Sequence, residues 1–204
     1  MSEQQNELHP LSKAIRIQTP QTWQMEHSTP LYLTSSFTFD EADDMGGAFA
    51  EENDDNIYSR FSNPNVDEFT EKMCALEGAD AGFATATGMA AVFASIFALL
   101  KQGDHLLCCS SVFGSTYTIV TKYLSKYGIE HTLVAANDKD AWEKAIQPNT
   151  KMIYLETPTN PQLEIIDLEW IGALAKKNNL ILNVDNCFAT PLLQLPIKYG
   201  AHLV

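Results

Sequence analysis

The strongest constraint in this 204-residue chain is a rhythm that runs from Asp104 to Asp185. Short apolar runs alternate there with segments of helical period. "DHLLCCSS", "IEHTLVAA", "KMIYLET" and "LILNVD" read as strands, and "GSTYTIVTKYLSKYG", "KDAWEKAI" and "LEWIGALAKKNN" as the helices between them. The strand segments are apolar on consecutive residues, the mark of strands covered on both faces. The pattern predicts an α/β fold in three layers, a mostly parallel sheet with helices on both faces. Upstream, "VDEFTEKMCALEG" predicts a helix ending at Gly78, and "AGFATA" a short strand. "TGMAAVFASIFALLKQG" predicts a helix so apolar all round that it should be buried. Residues 1–57 read as an extended N-terminal arm, and residues 58–204 as the large domain.

Charge removes some partners. Asp and Glu total 26 against 13 Lys and Arg, a formal net charge of −13. That argues against nucleic acid or an anionic membrane surface. Much of the excess lies between Asp40 and Asp55, which reads as a solvated, mobile acidic loop. The loop has no His, no Cys and no calcium-loop spacing, so no metal is expected there. The four cysteines, Cys74, Cys108, Cys109 and Cys187, form no C-x-x-C pair, and Cys187 reads as a small buried filler. His105, His131 and His202 have no partners at ligand spacing and read as structural. The N-terminus has no apolar signal core, and no run approaches a membrane span, so a reducing cytoplasm is the expected setting.

Ligands of parallel sheets bind outside the carboxyl ends of the strands. That places Thr85–Gly88, Ser110–Gly114, Glu156–Asn160 and Asp185 on one rim. No G-x-G-x-x-G and no P-loop pattern occurs, so a nucleotide loses its main support. In "TATGMAA", Thr87 can cap the following helix and Gly88 allows close approach. The Gly88 and Met89 amides at the positive helix end can cradle an anion, although an ordinary capped helix has the same sequence. Asp185, the carboxylate ending an apolar strand, suits a solvated turn, a cap, or a protonated ring nitrogen. One phosphate cradle and one distant carboxylate together fit pyridoxal phosphate, whose pyridine nitrogen a carboxylate keeps protonated.

Four stretches in order, "YSRFSNPN", "TGMAA", "ETPTNP" and "DNCFATP", resemble the Cys/Met-metabolism (transsulfuration) family of fold-type I pyridoxal-phosphate enzymes. The resemblance runs from about Ser28 to Val204. It implies that Tyr58 and Arg60 reach the cofactor phosphate of a neighbouring subunit, within a homotetramer built of dimers. It assigns Thr87, Gly88 and Met89 to the phosphate loop and Glu156 and Asn160 to the pyridine-face loop. Asp185 falls at the ring nitrogen and Phe113 at the stacking ring. Glu156 and Asn160 can also simply shape the turn around Pro158 and Pro161. Phe113 departs from the Tyr of many members, and Cys187 from their usual Thr. This combination looks most like the branch that replaces the γ-substituent of O-succinylhomoserine with sulfide, giving homocysteine. A γ-lyase, an acetyl-ester sulfhydrylase and a non-catalytic fragment are the alternatives. The family's Schiff-base lysine is expected beyond "GAHLV", in a chain about twice as long.

Overall fold

The computed structural model describes residues 8–204, in two compact units that divide between Ala84 and Thr85. The first unit holds α1 (Pro10–Arg16), α2 (Ala42–Phe49) and α3 (Pro64–Glu77). Sequence chemistry sets the bounds of α3. The Asn63 side chain caps it by accepting from the Asn65 amide, Pro64 occupies the first turn, and Gly78 stops it at φ 74°. Side chains of α3 also pin the segment before it. The Glu68 carboxylate accepts from the Thr19 amide at 2.9 Å and from the Thr29 hydroxyl. Asn65 and Asn63 hold the backbone around Tyr32. Burial alone would raise the Glu68 pKa; the Lys72 ammonium and these donors more than offset it and hold the group at about 2.

Two expectations fail in this unit. The acidic stretch is not all loop, because Ala42–Phe49 is helical. Asp43 and Asp44 sit in the first turn, where carboxylates favour the positive end of a helix. "AGFATA" forms no strand. It runs against α3 so closely that a Cβ on Gly82 would lie 2.8 Å from Cys74 Sγ. Packing on a helix replaces ladder pairing.

The second unit contains α4 (Gly88–Phe97) and a four-stranded sheet: β1 (His105–Cys109), β2 (Glu130–Val134), β3 (Thr150–Glu156) and β4 (Ile181–Asp185). All neighbours are parallel, in the order β2-β1-β3-β4. The connections contain α5 (Gly114–Thr118), α6 (Lys139–Lys144) and α7 (Leu168–Lys177); a short α8 (Thr190–Leu193) follows β4. Parallel crossovers are right-handed, so a step from β1 to β2 and the reverse steps to β3 and β4 place their helices on opposite faces. Leu106, Leu107, Ile153, Leu155, Leu182 and Val184 are buried between the layers with Trp142 and Ile171.

The long helix expected over residues 114–128 is α-helical only to Thr118, then π-helical over Ile119–Tyr123 and 3₁₀ over Leu124–Tyr127. The Thr118 and Thr121 hydroxyls donate to carbonyls four residues back, a bond that bends helices. Helix α4 is not buried all round. Only Ile96 is fully covered, while Phe93 is 41 % exposed. One stripe meets the core and the other apolar faces stay open.

His105 begins β1 with no exposed surface. Its ring nitrogens lie 2.8 Å from Thr150 Oγ1 and 2.9 Å from Thr132 Oγ1. Desolvation lowers its pKa below the usual 6.5, His131 adds to the shift and Glu130 opposes it. The unfolded chain therefore takes up this proton first as pH falls. The stabilisation is complete above about pH 6.5 and is lost as pH drops toward the folded value. Chemical denaturation between about pH 8 and pH 5 should show the midpoint falling only below that point, and His105→Gln should flatten the fall. An equally steep fall in the variant would assign the acid sensitivity to other groups.

Candidate active site

The strand order locates the site. The chain steps one way from β1 to β2 and the other way afterwards, so the loops leaving β1 and β3 part above the sheet and open a crevice at its carboxyl edge. Glu156 ties the two loops together. Its Oε2 accepts the Phe113 amide at 2.8 Å, and the carboxylate also takes the Asn160 amide. Phe113 is the residue before α5 and is 43 % exposed.

The β3–β4 register sets the rest. Glu156 lies opposite Asp185, and Tyr154 opposite Asn183. Registered and alternate residues share a face, so all four side chains project to one side of the sheet. Asn183 Nδ2 donates to Ser95 Oγ at 2.9 Å, which identifies that side as the one under α4. Asp185 Oδ1 accepts the Cys187 amide at 3.1 Å, and the Tyr154 phenol donates to Oδ2 at 3.4 Å. Glu156, only 4 % exposed, has its pKa raised by desolvation, an effect the Phe113 amide opposes and the Asp185 charge reinforces. Among the described residues, the ion pairs are Lys72–Glu68, Lys139–Asp167 and Lys144–Asp140, and none reaches Glu156 or Asp185. Two neighbouring carboxylates without a protein cation favour a proton or a cationic ligand between them and the crevice.

The segment expected to cradle an anion is a capped helix start. Thr87 Oγ1 accepts from the Ala90 amide at 3.1 Å and starts α4 at Gly88. A Cβ on Gly88 would meet nothing within 4 Å, so the first turn is open to a ligand. The C-terminal end of α4 leads through residues 98–104 into the start of β1, so the helix runs back across the sheet with Gly88 toward the carboxyl edge. An anion at the helix end, a cationic ring nitrogen at Asp185 and a flat ring beside Phe113 fit pyridoxal phosphate. Among the described residues, no cluster of His, Cys, Asp or Glu could hold a metal, and no helix is long and apolar enough to cross a membrane.

Residues 12–204 match the model of the Cys/Met metabolism PLP-dependent enzyme family. The chain belongs to this family. It is 43% identical over 191 residues to O-succinylhomoserine sulfhydrylase of Pseudomonas aeruginosa, covering 94% of this chain and 47% of that protein. It is 42% identical over 176 residues to an L-methionine gamma-lyase of Fusobacterium nucleatum, covering 86% of this chain and 45% of the relative. A crystal structure from Campylobacter jejuni that carries a pyridoxyl-lysine phosphate superposes with a TM-score of 0.89 at 33% identity, over 96% of this chain and 48% of that one. The chain thus spans about half the length of the curated relatives it matches.

Of the sequence candidates, Thr87, Gly88, Met89, Phe113, Glu156, Asn160 and Asp185 fall in the second unit. Tyr58 and Arg60 belong to the first, where the Arg60 guanidinium lies 5.3 Å from the centre of the Tyr58 ring and 5.3 Å from that of Phe61. Cys187 is exposed, against expectation, because the chain turns outward once β4 has ended. Tyr154 and Gln194 were absent from the sequence candidates. Gln194 Nε2 donates to Thr157 O and to Asn186 Oδ1, both at 2.8 Å, and fastens the loop after β4 to the loop after β3. Tyr154 could have been found from the period-2 spacing to Glu156; Gln194 leaves no such trace.

Asp185→Asn keeps an acceptor for the Cys187 amide, so its circular dichroism should match the parent. Turnover of the whole protein should fall by several orders of magnitude and cofactor retention should weaken. A near-normal rate would return Asp185 to the role of a turn residue.

Proposed function

We propose that the whole protein replaces the γ-substituent of an activated homoserine ester, O-succinylhomoserine in preference, with sulfide, yielding homocysteine and the free acid in sulfur amino-acid metabolism. Pyridoxal phosphate, when bound, supplies an electron sink next to the substrate's α-carbon. Asp185 would hold the proton on its ring nitrogen. The Gly88 and Met89 amides, capped by Thr87, would bind its phosphate, and Phe113 would stack on its ring. Glu156 and Asn160 keep the loop of β3 against the loop carrying Phe113. The single observation that supports the choice of leaving group is Phe113 itself, a ring at the crevice with no hydroxyl to pass a proton to a departing thiolate. A carboxylate ester needs less such help.

A second reading, γ-elimination from methionine or cystathionine, is favoured by the nearly equal identity to the methionine gamma-lyase. The two readings separate in one comparison. General acid–base assistance is worth about 10²–10⁴-fold. Phe113→Tyr should therefore raise kcat/KM for the thioether substrates well above the parent and leave the ester reaction within a few-fold. If the parent already cleaves methionine or cystathionine as fast as it uses any homoserine ester, the lyase reading replaces the sulfhydrylase.

We also propose that Tyr58 and Arg60 act across a subunit boundary, on the phosphate of a neighbouring chain, in a homotetramer built of dimers. The stacked Arg60 guanidinium is preorganised for a planar, bidentate anion contact. An Arg60→Ala protein mixed with an Asp185→Asn protein would then form hybrids with one complete site. Activity should recover to about a quarter of the parent under random pairing. Hybrids that assemble and remain inactive would refute the shared site.

A further inference from the structure

One group on the site's face of the sheet is left without a task by the reading above. Tyr154 is 1 % exposed, yet it carries a hydroxyl into the core at the point where β3 and β4 meet the crevice. A phenol this deeply buried loses its water and must find protein partners. Two groups are near it. The Asp185 Oδ2 atom accepts from it at 3.4 Å. The Thr116 hydroxyl of α5, also 1 % exposed, lies close without meeting hydrogen-bond geometry. Desolvation raises the phenol's pKa well above its ordinary value, and the Asp185, Cys108 and Glu156 groups act in the same direction. The phenol therefore keeps its proton throughout the working pH range and serves only as a donor to the carboxylate.

We propose that Tyr154 is a positioning residue for Asp185, holding Oδ2 while the Cys187 amide holds Oδ1. A carboxylate held at one oxygen can rotate about its χ2 torsion, which is broad for aspartate. Held at both, it presents a fixed edge to the crevice. The strand register supplies the geometry: Tyr154 precedes Glu156 by two residues on one face, and Glu156 is the register partner of Asp185. Outer partners of this kind fix the orientation of a reacting group without touching substrate, and their loss at metal centres costs 10–100-fold. The inference rests on the reading of Asp185 as the ring-nitrogen partner.

The test uses the whole holoenzyme with Tyr154→Phe, which removes one oxygen and keeps the ring. Cofactor labelled with ¹⁵N at the pyridine position reports the ring nitrogen directly. The expected result is a ¹⁵N shift displaced toward unprotonated pyridine, a cofactor Kd raised about tenfold, and a kcat lowered by a similar factor with KM within twofold. Parental ¹⁵N shift and Kd overturn the proposal, and a lowered melting temperature beside them assigns the hydroxyl to packing alone. Asp185→Asn, measured in parallel, separates the two layers. If it too leaves the ¹⁵N signal unmoved, the ring-nitrogen reading of Asp185 fails; if it moves the signal and Tyr154→Phe does not, only the role of Tyr154 fails.

Discussion

Everything at the crevice depends on one register. β3 and β4 pair so that Glu156 meets Asp185 directly, two carboxylates on adjacent strands of a buried sheet. A slip of β4 by one residue would turn Asp185 into the opposite layer and bring its neighbour Val184 to the crevice face instead. The core packing of Leu155 and Val184, the register pair before Glu156 and Asp185, therefore fixes where the two carboxylates point. Like charges so placed repel, and the structure answers with donors aimed from the backbone. Glu156 takes the Phe113 and Asn160 amides, and Asp185 takes the Cys187 amide. The gap that the topology leaves between β1 and β3 lies at the same carboxyl edge of the sheet.

The loops around that gap are held by side chains, since the strands have ended. Glu156 ties the β1 loop to the β3 loop, and Gln194 ties the β3 loop to the β4 loop. Beyond β4, the chain returns to the sheet where Leu203 bridges Asn183. It also presses on α7 so closely that a Cβ on Gly172 would lie 1.8 Å from Tyr199 O. A rim stitched in this way gives its functional groups fixed positions, which electrostatic stabilisation of a charged ring requires.

How much of this the sequence discloses differs by level. All four strands and the helices between β2 and β4 follow from consecutive apolar residues and helical spacing, because burial on both faces leaves a compositional mark. The cap at Thr87 is equally legible, since only a few residue types accept a helix's first amides. "AGFATA" misleads because its residues suit a strand and its neighbour is a helix; nothing local announces that Gly82 must approach Cys74. The apolar α4 misleads in the opposite way, because a helix apolar on every face does not say which of its faces meets the core. Cross-strand partners are the least legible of all. Tyr154 and Asp185 are separated by a whole helix in sequence, and only the register brings them together.

The net charge of −13 raises a last physical point, since the site proposed here binds a phosphate. Long-range repulsion is a weak guide at such a site. At physiological ionic strength, exposed charges are screened beyond about 8 Å. Partly buried groups in contact with the ligand are screened far less. The open first turn of α4 offers unpaired amides and the positive end of ten residues of helix. Local donors of this kind determine whether an anion binds, while the global charge modulates how fast it arrives. The same distinction separates the two ends of the proposed cofactor: backbone dipoles would meet its phosphate, and the Asp185 carboxylate, which is in none of the ion pairs among the described residues, would meet its ring nitrogen.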